Sequence, residues 1–125
     1  MSEPDVLHED RDEMSTGVLD AHRAIRSLME EFEAVDWYAQ RVDATDDEDL
    51  KAILGHNRDE EKEHAAMVLE WLRRRDPVLD GYLRQYLFTE GSIIAIEEGD
   101  DRASDAGDGG GARGLGIGSL RATVK

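Results

Sequence analysis

GHNRDEEKEH, residues 55–64, contains no apolar side chain, yet it occupies the middle of a stretch whose flanks are plainly helical. Continued in alternating steps of four and three, that helix places Leu50, Leu54, Asn57, Glu61, His64, Val68 and Trp71 on one stripe. Its ends are apolar, as a helix seam requires, but its centre is Asn, Glu and His. An unpaired carboxylate is costly to bury, and such groups persist in cores when they are paired or hold a metal. Glu61 and His64 form Glu-x-x-His, which sends both side chains from one helix face with Cβ atoms about 5–6 Å apart, within reach of a single ion. The competing structural reading pairs Glu61 with Arg58 or another base and leaves His64 as a surface residue.

The stretch upstream supplies a partner helix. Val18, Ala21, Ile25, Leu28, Phe32, Val35, Ala39 and Val42 recur at three and four. A weaker extension runs back through Met14 and Leu7, with Ser2 and Pro4 available to start it. Thr45-Asp46-Asp47-Glu48 fits a capping box, so the second helix is expected to begin there and to run to about Arg74 or Arg75. Asp76-Pro77 then opens a shorter helix with Leu79, Leu83, Tyr86 and Leu87 on one side. The reading is all-α: a two-helix antiparallel hairpin plus a short C-terminal helix. A lone hairpin leaves one side of each helix in water, so four-helix bundles are expected to form by oligomerisation.

The inventory for a metal pair points the same way. Di-iron and di-manganese bundles use two Glu-x-x-His helices and two further helices that give one Glu each. This chain offers one such motif at a seam and one further Glu, Glu31, at the edge of the first. Two-fold symmetry would bring four carboxylates and two imidazoles around two metals about 3.5–4 Å apart. Counted from a turn near Asp43, however, Glu31 lies opposite about His56, which puts Glu61 roughly 7 Å further along at about 1.5 Å per residue. Glu31 and Glu61 of one chain are therefore expected to converge poorly, and Glu31 is expected also to meet groups of the partner chain. His56 and Glu60 share a face with His64 and form a rival or transient site; His8 and His22 read as surface residues.

Composition narrows the partners. The 125 residues carry 30 Asp and Glu and a formal net charge of −15, which repels nucleic-acid phosphates and attracts cations. Charged residues make up 36%, against about 25% on average, and most of them are read as solvated surface. There is no cysteine, which excludes a thiolate site or nucleophile. No apolar run spans a membrane and the acidic N-terminus lacks a signal peptide's pattern, so a cytoplasmic protein is expected. The helical domain is assigned to 1–98. GDDRASDAGDGGGARG, over 99–114, has little to bury and is read as a disordered linker. Apolar residues return in the tail, 115–125.

MEEFEAVDWYAQR (29–41), HNRDEEKEHAAMVLEWLRR (56–74) and YLFTEG (86–91) resemble the encapsulated ferritins, and the match covers most of the chain. LGIGSLR (115–121) is similar to the peptide by which cargo docks inside an encapsulin shell, and alternating Leu115, Ile117 and Leu120 suit extended docking in a groove. The resemblance implies a ferritin-like ferroxidase, with a homo-oligomer built from dimers into a decamer. It implies a di-iron site across a subunit interface, held by Glu31, Glu61 and His64, the three residues chosen by spacing. It also implies that Glu30 and Glu33 admit metal, that Tyr38 and its neighbour Trp37 tune the site, and that an encapsulin nanocompartment in the cytoplasm holds the mineral. For Tyr38 the alternative is packing, the commoner fate of an interface aromatic. For the whole protein the alternative is a bundle that binds or buffers divalent metal without turnover. Zinc would compete for such a site.

Overall fold

The computed structural model describes residues 6–105, with side chains through 99. It is helical: a 3-10 turn at Arg11–Glu13, then α1 (Thr16–Ala44), α2 (Glu48–Arg75), α3 (Pro77–Tyr86) and α4 (Ile93–Asp105), with no strand among the described residues. The chain divides into two compact units at Arg75/Asp76, within the span 1–98 read as one domain. The expected all-α hairpin is present.

The first unit is the hairpin. The apolar stripe does not carry α1 back to Leu7; the helix begins where the Ser15 hydroxyl accepts the Val18 amide at 3.1 Å. That cap satisfies a donor that the helix itself leaves open, and the chain before it takes extended backbone at Met14. The capping box is also redistributed. Thr45 closes α1 and its hydroxyl accepts the Asp47 amide (3.2 Å), while the Asp47 carboxylate accepts the Leu50 amide (2.8 Å) and caps α2. Lys51 reaches back to donate to the Val42 carbonyl at 2.9 Å, placing a cation at the negative end of α1. At the far end, the Arg75 guanidinium stacks on Trp71 at 3.9 Å. Arg73 and Arg74 both clamp Glu70 (2.7–2.8 Å) and hold its carboxyl down at about 2.

The two helices meet along a narrower seam than the periodicity implies. On α2 the covered positions include Leu54, Asn57, Arg58, Glu61, Ala65, Val68, Trp71 and Leu72, and of the whole hairpin's described residues Ala65 (2% exposed) and Leu72 (8%) are the fully buried ones. Ala65 rather than His64 follows Glu61 in the seam, because three-and-four stepping permits either and a methyl group lets the helices approach. On α1 the covered positions include Ala24, Ser27, Leu28, Glu31, Val35, Tyr38 and Val42. Val18, Ile25, Met29 and Phe32, at spacings of seven, four and three, form a second stripe that stays about half exposed. So little fully covered apolar surface leaves the hairpin with little to set against its chain entropy.

In the second unit Asp76 accepts the amides of Val78 (3.1 Å) and Leu79 (3.0 Å) and starts α3 as expected, with Pro77 at its first turn. Past Leu87, Phe88 takes left-handed backbone (φ 63°), a conformation costing a non-glycine residue about 1–2 kcal/mol. Ser92 accepts the Ala95 amide at 3.1 Å and leads into α4. That helix runs through Gly99 to Asp105, into the segment read as linker. The rest of the 99–114 linker and the tail 115–125 lie outside the described residues. Among those described, no helix is long and apolar enough to cross a membrane.

Candidate metal centre

The hairpin connection sets the register of the site. Ala44 ends α1 and Glu48 begins α2, so the midpoint is residue 46, not a turn near Asp43. Residue 31, fifteen before it, therefore meets residue 61, fifteen after. The expectation that Glu31 lies opposite His56, away from Glu61 of its own chain, is corrected: Glu31, Glu61 and His64 of one chain converge. One ligand atom of each lies within 4.8 Å of the other two, and among the described residues this is the group of His, Cys, Asp and Glu that gathers in this way.

His64 Nδ1 stands 3.6 Å from Glu31 Oε1 and 3.5 Å from Glu61 Oε1. These separations are long for hydrogen bonds. They leave room for a shared ion: donors about 2.1 Å from a metal stand roughly 3–3.4 Å from one another, a little closer than these atoms stand here. Both carboxylate side chains are 25% exposed and the imidazole 46%, so the trio is closed on the hairpin side and open on the other. Glu31 Oε1 itself is shut off from solvent and accepts no hydrogen bond. A buried acceptor without a donor is expensive, and a cation is the group that satisfies it best. Glu61 does not turn to Arg58, which pairs with Asp59 at 3.1 Å.

The crowding of negative charge shows in protonation. Glu31 is pushed above its ordinary value of 4.5, first because the Glu61 carboxyl lies close enough for a shared proton to be favoured, then by burial and by repulsion from that same carboxylate; His64 partly opposes the shift. The folded metal-free chain therefore holds a proton that the unfolded chain has lost, and its stability falls as pH rises from 4.5 through the raised value. Thermal melts of metal-stripped protein should show this decline, and Glu61→Gln should flatten it. Metal should reverse the trend, since it binds the deprotonated set.

Other sequence candidates lie nearby without joining the trio. Glu60 stands between two imidazoles, 3.9 Å from His64 Nε2 and 4.0 Å from His56 Nε2, but on separate oxygens, so these three do not gather into one compact set. Glu30 and Glu33 are exposed on α1. Tyr38 is half-buried on the seam side, with the Arg41 guanidinium 5.2 Å over its ring. That stacking was not anticipated, although a Tyr and an Arg three apart on a helix are neighbours by spacing. His8 is exposed and His22 half-buried.

An antiparallel helical hairpin that gathers two carboxylates and an imidazole defines a ferritin-like helical protein. Comparison with known proteins makes the class specific. The EncFtn-like family model matches residues 6–90, and the chain belongs to that family, the encapsulated ferritins. It is 57% identical to the Encapsulated ferritin-like protein of Rhodospirillum rubrum, over 91% of this chain and 86% of that protein. It is 56% identical to the Ferritin-like protein of Thermotoga maritima, over 75% and 82% respectively. The Encapsulin nanocompartment cargo protein EncC of Myxococcus xanthus is 54% identical over 44% of this chain and 43% of its own. Among solved structures, protein ne0167 of Nitrosomonas europaea matches with a TM-score of 0.68 at 61% identity, over 70% of this chain and 96% of that one.

Proposed function

We propose that the protein is a ferroxidase that takes Fe(II) as substrate at a site completed by a second copy of the chain. The observation that carries this reading is the orphaned Glu31 Oε1 facing Glu61 and His64 at the open edge of the hairpin. One chain supplies two carboxylates and one imidazole; a two-fold copy set against the exposed Val18–Ile25–Met29–Phe32 stripe would double the set and hold two irons. A mixed oxygen and nitrogen donor set suits iron, and the carboxylates balance the charge gained as Fe(II) becomes Fe(III). Molecular oxygen accepts the electrons. Glu30 and Glu33 would draw cations towards the site, and Tyr38, held by Arg41, would adjust its surroundings.

In this reading dimers build a decamer, and the tail, 115–125, attaches the assembly inside an encapsulin shell that stores the product. The support is the kinship with the Myxococcus cargo protein and the return of apolar residues, Leu115, Ile117 and Leu120, in the tail. The test is iron bound and oxygen consumed against assembly state. One iron per chain, with oxygen uptake confined to the assembled protein, is expected. Stoichiometric metal without oxygen uptake would make the protein a metal buffer instead.

A further inference from the structure

Four residues in the sequence are methionines, and two described ones lie close to the ligands in number but not equally in space. Met67 follows His64 by three and so leaves α2 from the same face as the imidazole. Met29 precedes Glu31 by two, which at 100° per residue turns it well away from that carboxylate's direction. Both are open to solvent in the hairpin, Met67 at 64% and Met29 at 53%, so exposure alone would not separate them. Met67 also lines an open groove with Ser27, Val68 and Trp71, one helical turn from the trio on both helices: Ser27 precedes Glu31 by four and Met67 follows His64 by three.

We infer that Met67 is an oxidation site: its thioether consumes hydrogen peroxide produced at the adjoining iron centre and becomes methionine sulfoxide. The inference rests on the ferroxidase reading above. Two Fe(II) give one electron each to O2, which takes up two protons and leaves as H2O2. A sulfur lone pair of Met67 then attacks one peroxide oxygen, the O–O bond breaks, an S–O bond forms, and the other oxygen departs as water. Each chain can remove one equivalent in this way, and the product is reducible by methionine sulfoxide reductases. The change also converts an apolar side chain beside the site into a polar one.

The experiment uses the full-length oligomer, loaded with Fe(II) without oxygen and then exposed to air. Oxidation of iron is followed optically, and digested protein is weighed for sulfoxide at Met14, Met29 and Met67. A parallel sample without iron receives hydrogen peroxide from solution. Solution peroxide sets the ratio of sulfoxide at Met67 to that at Met14 in the assembled protein, where the second copy shields Met29; turnover should raise that ratio several-fold, with catalase in the medium making little difference. Met67→Leu should oxidise iron at the unaltered rate and release more peroxide in its first turnover. Normal iron oxidation with a Met67 to Met14 ratio no higher than solution peroxide produces overturns this inference alone. Absence of iron oxidation overturns the ferroxidase reading and this inference with it.

Discussion

Glu61→Ala and His64→Ala should each abolish aerobic iron oxidation while leaving the helices in place. Removing an outer partner of a metal ligand already costs about 10–100-fold in affinity or activity, and a ligand itself should cost more. Two features make the loss larger here than in a site with spare donors. The trio holds one nitrogen donor and two carboxylates per chain, so either change removes a third of the set from each copy. Glu61→Ala also leaves Glu31 without its neighbouring carboxylate, and His64→Ala leaves two acidic side chains together without the imidazole. Neither residue packs in the fully buried part of the seam, so far-ultraviolet circular dichroism should be nearly unchanged. Oxygen uptake during Fe(II) addition is the direct measurement. Unaltered rates in both variants would remove Glu61 and His64 from the chemistry.

Ile25→Arg should abolish the same activity by a different route. Ile25 lies six residues, nearly two turns, from Glu31 and belongs to the stripe left open on α1. An unpaired charge forced into an apolar contact costs several kcal/mol, and about 3 kcal/mol is roughly two orders of magnitude in association. If a second copy covers this stripe, the variant should sediment as a smaller species, lose helicity on dilution, and lose oxygen uptake in step with the assembly. The expected coupling follows from the small core: among the hairpin's described residues Ala65 and Leu72 are the fully buried ones, so a partner that covers the stripe would add to its stability. A well-folded monomer that oxidises iron at the wild-type rate per chain would show the site to be complete without a partner.

Much of the candidate site was legible because its chemistry clashes with its position. Carboxylate and imidazole at helix-face spacing, inside a stretch without apolar residues, marked Glu61 and His64, and the half-inventory marked Glu31. The hairpin followed from two long periodic runs and a polar connection. What the residues left open were choices between near-equivalent physical solutions. Thr45 and Asp47 can both cap a helix, and only the stopping point of α1 decides which does so. After Glu61 the seam can step to His64 or to Ala65, and the smaller residue wins where two backbones approach closely. Ser15 competes with the weak apolar continuation through Met14 and Leu7, and a formed cap outweighs two scattered hydrophobic positions. Gly99 gave reason to end helical structure, yet one glycine costs a helix only about 1 kcal/mol and α4 passes through it.

The short connection from Thr45 to Asp47 has a bearing on how this chain can change in length. Adding one residue to either helix between Glu31 and Glu61 would turn a ligand by about 100° and slide it about 1.5 Å, out of the trio. Beyond Arg75 no such arithmetic applies to the site. Insertions and deletions should accumulate after that point and be purged between the two glutamates, where the chain keeps count.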